Sequence, residues 1–324
     1  MSPGRASPAV YVHMLGRWAQ ILAGRTYFHV PQGPGPHFVP GRLAGYFIDL
    51  RAKTCWPGPV DDRGLPLNRG RGEALVHFPT TLFHKGLGHW DAWLASGCRD
   101  WGQLDAMERI VEWARGHQDH AGGWPWPDAL RWSDSTGAYS AMSQGEGASL
   151  LCRAFLVSRD EALVSAAVRA LELAVQPVER GGCARWTADG LFLEEYPRRE
   201  ARTVLNGWIY ALMGLHDVLL VREHRFLREC LDRTLRTLVR ELPTFDMRYW
   251  SLYDSGGEIA SPSYHERHIV QLRALEETFP QHASDIAVVR RRFERHRASR
   301  VSRIRAIGTK AVRRLSAPPE FVLR

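Results

Sequence analysis

Cysteine is scarce and scattered in this chain of 324 residues. The five cysteines, Cys55, Cys98, Cys152, Cys183 and Cys230, form no CxxC pair and stand at no metal-ligand spacing from histidine. That argues for reduced thiols, against a disulfide framework and against a structural zinc site. Long apolar runs are also missing: nothing approaches the roughly 18 residues that a spanning helix needs. No run of seven or more apolar residues follows the charges of the N-terminal segment, which makes it a poor secretory leader and the cytoplasm the expected compartment. No GxGxxG follows a strand pattern, so no nicotinamide cofactor is indicated.

What is present is ordinary for a folded domain: 44% hydrophobic and 24% charged residues. The net charge of +8 is unevenly placed, because residues 290–324 hold twelve Lys/Arg against two Glu and leave the rest at about −2. A basic tail of this kind fits peripheral contact with an anionic membrane. Nucleic acid is not expected as a partner, since Phe293 is the only aromatic residue interleaved within Arg290–Arg314.

Three segments follow from texture. Residues 1–78 are rich in Gly and Pro with short apolar pieces, which predicts a small β-containing region and one helix near Tyr11–Ala23. Residues 79–289 show helical periodicity over Thr81–Ala95, Trp101–Gln118, Thr136–Val157, Asp160–Val175, Thr203–Val221, Glu223–Glu241, Tyr264–Thr278 and Gln281–Arg297. The links alternate short and long, so the helices pair, and a mainly α fold is expected: an (α/α) toroid of about four hairpins. Within the long links, 183–193 reads as a short hairpin turning at Asp189-Gly190. Residues 290–324 form the basic tail.

Polar residues interrupt apolar texture at three places. Tyr139–Gly147 carries Gly145 and Gly147, which permit close approach of a backbone or a ligand. Glu194-Glu195-Tyr196-Pro197 precedes Asn206-Gly207, and Pro197 keeps the tyrosine before it out of a helix. Trp250–Asp254 is followed by Ser263–Gln271, where Tyr264, His268 and Gln271 share one helix face and would line one wall. His265 and His268 have no third ligand at a matching spacing, so no metal is assigned.

Together YSAMSQGEGASLLCRA (139–154), EEYPRREARTVLNGWIYALMGLHDV (194–218), LPTFDMRYWSLYD (242–254) and SPSYHERHIVQL (261–272) resemble the C-terminal domain of the D-glucuronyl C5-epimerases. Weaker matches are YFIDLRAKTCWP and DDRGLPL within 46–67. The resemblance implies a helical toroid preceded by β-structure, no cofactor, and conversion of glucuronate to iduronate within a heparan-type polysaccharide. It carries the family's active glutamate to Glu195 and its active tyrosines to Tyr196, Tyr253 and Tyr264. Glu195 and Tyr264 are expected as the opposed acid/base pair, with Tyr196 and Tyr253 assisting. Substrate-holding positions fall on Gln144, Gly145, Asn206, Tyr210, His265, Arg267 and His268. An arginine of the animal enzymes is replaced by Gly256, so Arg248 or Arg267 would supply that cation. Without a counterpart of the animal N-terminal extension and anchor, a compact bacterial-type member is expected, working as a homodimer on a uronate-containing polymer. Two other readings share the pattern: a uronate polysaccharide lyase or unsaturated glucuronyl hydrolase on the same toroid, and a non-catalytic toroid that stacks sugars on Trp124, Trp126, Trp132 and Trp250.

Overall fold

In the computed structural model the described residues are 32–316 together with residues 16 and 30. The helix expected over 11–23 falls almost wholly outside them. The described residues are mainly helical, with two short two-stranded sheets among them.

The N-terminal segment enters through irregular chain, a 3-10 turn at Arg51–Thr54 and the antiparallel strands β1 (Asn68–Arg69) and β2 (Leu75–Val76). It is tied down by buried polar groups. Tyr46 donates its backbone N–H to Asp91 at 2.9 Å, and Arg153 reaches the Gly45 carbonyl at 3.1 Å while pairing with Asp217 at 2.6 Å.

Eight helices follow as sequence-adjacent pairs: α1 (Pro79–Ala95) with α2 (Trp101–His117), α3 (Ala141–Ser158) with α4 (Glu161–Val175), α5 (Leu205–Val221) with α6 (Arg225–Glu241), and α7 (Pro262–Thr278) with α8 (Ala283–Ala298). The first members touch in series, α1 against α3, α3 against α5 and α5 against α7. That arrangement explains their composition. In α3 every residue from Ala141 to Ala154 is buried, and in α5 every residue from Leu205 to Leu219, because both are packed all round. α3 and α5 approach so closely that a side chain on Gly214 would strike the Gly145 backbone at 2.4 Å.

Helix starts follow capping chemistry. Ser140, Asp160 and Ser261 accept from the N–H groups of Ser143, Ala162 and Tyr264, and Pro262 occupies the first turn of α7. Periodicity places the start of α3 too early, at Thr136. Residues 136–140 are instead extended, with Thr136 donating to the Pro197 carbonyl and Ala138 accepting from Trp126. The hairpin read at 183–193 is present as β3 (Ala184–Trp186) against β4 (Leu191–Leu193).

The basic segment differs from a plain tail. Residues up to Ala298 complete α8, and a further helix, α9 (Arg300–Ser316), follows it. Ala306 of α9 is buried against Trp250, Ile259 and Ala260.

Candidate active site

The long links between helix pairs bring Glu195, Tyr196 and Tyr253 to the first turns of α7, which carry Tyr264 and Arg267. Glu195 follows β4, where the flanking backbone is pinned by Glu194 donating to Cys183 and accepting from Ala141. Its side chain lies against Gly207 at the start of α5, where a Cβ would meet the carboxylate at 2.3 Å. Tyr253 is fixed by its backbone, donating to Glu258 at 2.6 Å and accepting from Leu205 at 3.1 Å.

The side chains form a connected chain of contacts. Tyr196 donates to Glu195, and Tyr253 donates to Tyr196. The Tyr253 and Tyr264 rings meet edge to face at 4.9 Å, and the Arg267 guanidinium lies 4.6 Å from the Tyr264 ring centre. Tyr196 also rests edge-on against Trp126 and Trp132, with centroids 5.0 and 6.3 Å away. The three tyrosines are half-buried, whereas Glu195 and Arg267 are buried beneath them. Glu195 and Tyr196 also line a shallow surface depression with Trp126, Trp132, Tyr139 and Pro197.

Electrostatics distinguish these groups. Burial pushes the Glu195 carboxyl up to about 7, against the opposing pull of the Tyr196 hydrogen bond and Arg267. Burial likewise raises the Tyr196 and Tyr253 phenols well above their usual value, reinforced by the Glu195 charge. One Glu195 oxygen, the Tyr210 hydroxyl and the Asn206 amide oxygen are buried with no hydrogen-bond partner among the described residues. Such groups are costly unless something polar meets them.

Three residues that sequence reasoning missed complete the floor. Glu146 of α3 is fully buried, its carboxyl raised well above the usual value first by burial and then by Glu195, with Arg267 and Lys53 opposing. Nε2 of His84 from α1 lies 2.6 Å from Glu146, and burial pushes that imidazole well below its ordinary value. Burial of both favours the neutral forms, so this is a carboxyl–imidazole contact rather than an ion pair. Lys53, from the 3-10 turn, is 2% exposed and feels the charges of Arg267 and Glu146. Glu146 stood inside the quoted YSAMSQGEG run, and a charge in the middle of a helix buried all round was the available signal.

The other expected positions divide. Tyr210 belongs to the cluster, its ring stacked on Tyr46 at 6.3 Å and tilted toward His84 at 5.5 Å. Asn206 lies at the start of α5, its backbone carbonyl accepting from Gln271. Gln144 spends its amide on structure, accepting from the Trp124 N–H at 3.0 Å and donating to the carbonyls of Trp124 and Ser140. Gly145 faces the α5 backbone and serves helix packing. His265 stacks on Trp250 at 3.8 Å, with its ring nitrogens on Ser251 and the Phe293 carbonyl. His268 meets the same Ser251 hydroxyl at 3.0 Å. His265 thus braces α7 against α8 and the 246–254 link, whereas His268 gives only its Nδ1 to Ser251 and keeps Nε2 buried with no hydrogen-bond partner among the described residues. Arg248 is exposed in a turn at φ 67°, which leaves Arg267 as the cation beside the tyrosines. Among the described residues no group of His, Cys, Asp and Glu is placed to hold a metal ion.

Comparison with known proteins bears on this cluster directly. Residues 118–294 match the family model described as D-glucuronyl C5-epimerase C-terminus. The chain belongs to that family. A D-glucuronyl C5-epimerase of Caenorhabditis elegans is 29% identical over 192 residues, which cover 52% of this chain and 31% of the relative. The match thus spans about a third of that relative's length. A solved structure, cellobiose 2-epimerase from Spirochaeta thermophila, superposes with a TM-score of 0.44 and 14% identity over 64% of this chain and 57% of its own. Glu195, Tyr196, Tyr253, Tyr264 and Arg267 all lie inside the family match.

Proposed function

We propose that this chain inverts C5 of D-glucuronate residues to L-iduronate within a polysaccharide, removing the C5 proton on one face of the sugar and returning one on the other. The C5–H is acidic because it is α to the carboxylate, so negative charge builds on that carboxyl group as the proton leaves. Acid/base groups are then needed on both faces, and fixed positive charge is needed at the carboxyl. Glu195 and Tyr264 are the opposed pair in this reading. Tyr196 links Glu195 to Tyr253 and gives the carboxyl a route for proton exchange. Arg267 is the cation for the uronate carboxylate. The family resemblance also reads the four helix pairs as an α/α toroid with these links gathered on one face.

The observation that carries the proposal is the placement of Glu195: buried, with its proton held to about 7, and joined through two phenols to the Tyr264–Arg267 contact. A carboxyl poised near neutrality both takes and gives a proton at working pH. The test is incubation of an N-acylated, unsulfated glucuronate polymer with the protein, followed by proton NMR. Appearance of iduronate resonances supports the reading. An unsaturated sugar with its ultraviolet absorbance would instead show a lyase, and binding with no change to the sugar would show a glycan-binding module.

A further inference from the structure

The face that α9 turns to solvent is apolar, the reverse of an ordinary surface helix. At about 100° per residue, Val301, Ile304, Ala311, Val312 and Leu315 fall within an arc of about 100°. Val301 is 77% exposed and Ile304 72%, and Val312 and Leu315 are more than half exposed. The inner face is polar by comparison: among the described side chains of α9 only Ala306 is buried, and the helix is held by Lys310 on Glu258 and on the Ile259 carbonyl, at 2.9 and 2.6 Å, and by Arg313 on the Gly257 carbonyl. Those attachments grip the turn after Tyr253, so α9 is fixed to the body next to the candidate site.

Charge decides what the stripe meets. Arg300 stands at one edge of it and Arg305 at the other, and both are exposed. Among the described residues the side chains of Arg300 and Arg303 make no ion pair, while Arg305 lies 4.0 Å over the Tyr249 ring. No acidic residue occurs between Arg295 and Arg314. An apolar stripe rimmed by guanidinium groups matches the boundary of an anionic bilayer, where acyl chains lie beneath phosphates. A free polyanion satisfies the arginines and leaves the stripe in water. A second copy of the stripe brings like charges against each other.

We infer that α9 is an interfacial helix that docks this protein onto an anionic lipid surface, with Val301, Ile304, Val312 and Leu315 entering the headgroup–acyl boundary and Arg300 and Arg305 on the phosphates. The tether holds the candidate site close to the bilayer.

The test is co-sedimentation of the full chain with vesicles of phosphatidylcholine and phosphatidylglycerol in equal parts, and with phosphatidylcholine alone. Binding to the mixed vesicles is expected, weaker by about tenfold or more without the anionic lipid. Val301→Asp with Ile304→Asp lowers binding by at least about tenfold, with an unchanged melting transition since both side chains are exposed. No binding of the wild type to mixed vesicles, or equal binding by the double variant, overturns the proposal. So does a wild-type dimer that the double variant turns into a monomer, because a second copy then covers the stripe.

Discussion

Tyr196 donates its hydroxyl to the carboxyl of Glu195, the residue just before it in the chain. Adjacent residues normally point apart in an extended segment. Here Pro197 follows and the 194–198 link is pinned to the segment before α3, which turns the two side chains into one unit. A hydrogen bond favours the ionised carboxyl, yet burial outweighs it, and the net result is a proton held to about 7.

The first consequence is a pH profile. In the proposed inversion the carboxyl must be ionised to accept the C5 proton, so kcat/KM is predicted to fall on the acid side with an apparent pKa of about 7. Initial rates on a glucuronate polymer across pH show this limb, and Glu195→Gln lowers the rate by on the order of 10²–10⁴-fold without a residual limb at that position.

Stability carries the same signature with its own sign. The unfolded carboxyl ionises near 4.5 and the folded one at about 7, so the unfolded state loses its proton first. Stability therefore falls as pH rises between those values, by at most about 3 kcal/mol, and is level on either side. Glu195→Gln removes this dependence, so the variant melts above the wild type beyond about pH 7 and gains nothing below about pH 4, as thermal unfolding checks.

Arg267 and Arg248 are separable. Arg267→Gln removes the buried charge facing Tyr264 and lowers kcat/KM by on the order of 10²–10³-fold. Arg248→Gln changes an exposed turn residue and leaves kcat/KM within about twofold of the wild type. Parallel kinetics of the two variants decide which cation meets the uronate carboxylate.

Gln144 is a structural amide rather than a sugar ligand. Gln144→Ala leaves the buried N–H and carbonyl of Trp124 unpartnered and costs about 2–4 kcal/mol. Urea unfolding at constant slope detects it.

The fold was readable where burial and periodicity agree. Helix α4 repeats Leu163, Ala166, Ala167, Ala170 and Leu171 at helical spacing, and all five are buried. Helix α9 escaped the same reading because its apolar residues face outward and its inner face is held by Lys310 and Arg313, so pattern and burial disagree. In the site, residues on links that carry their own constraints, such as Glu195 before Pro197, stood out in the sequence. Glu146, His84 and Lys53 did not, because a polar residue inside a buried helix or turn becomes a site member only when another element faces it. His265 shows the converse: it stands in the same polar run as Tyr264, but Ser251 and the Phe293 carbonyl claim both its ring nitrogens.

If two groups serve opposite faces of one sugar ring, each can be disabled alone. The decisive measurement is deuterium uptake at C5 from heavy water, followed separately on glucuronate-rich and iduronate-rich polymer with Glu195→Gln and Tyr264→Phe. Both variants are predicted to lose inversion, one retaining exchange only on glucuronate and the other only on iduronate. Inversion at the wild-type rate by either variant would contradict the two-faced pair.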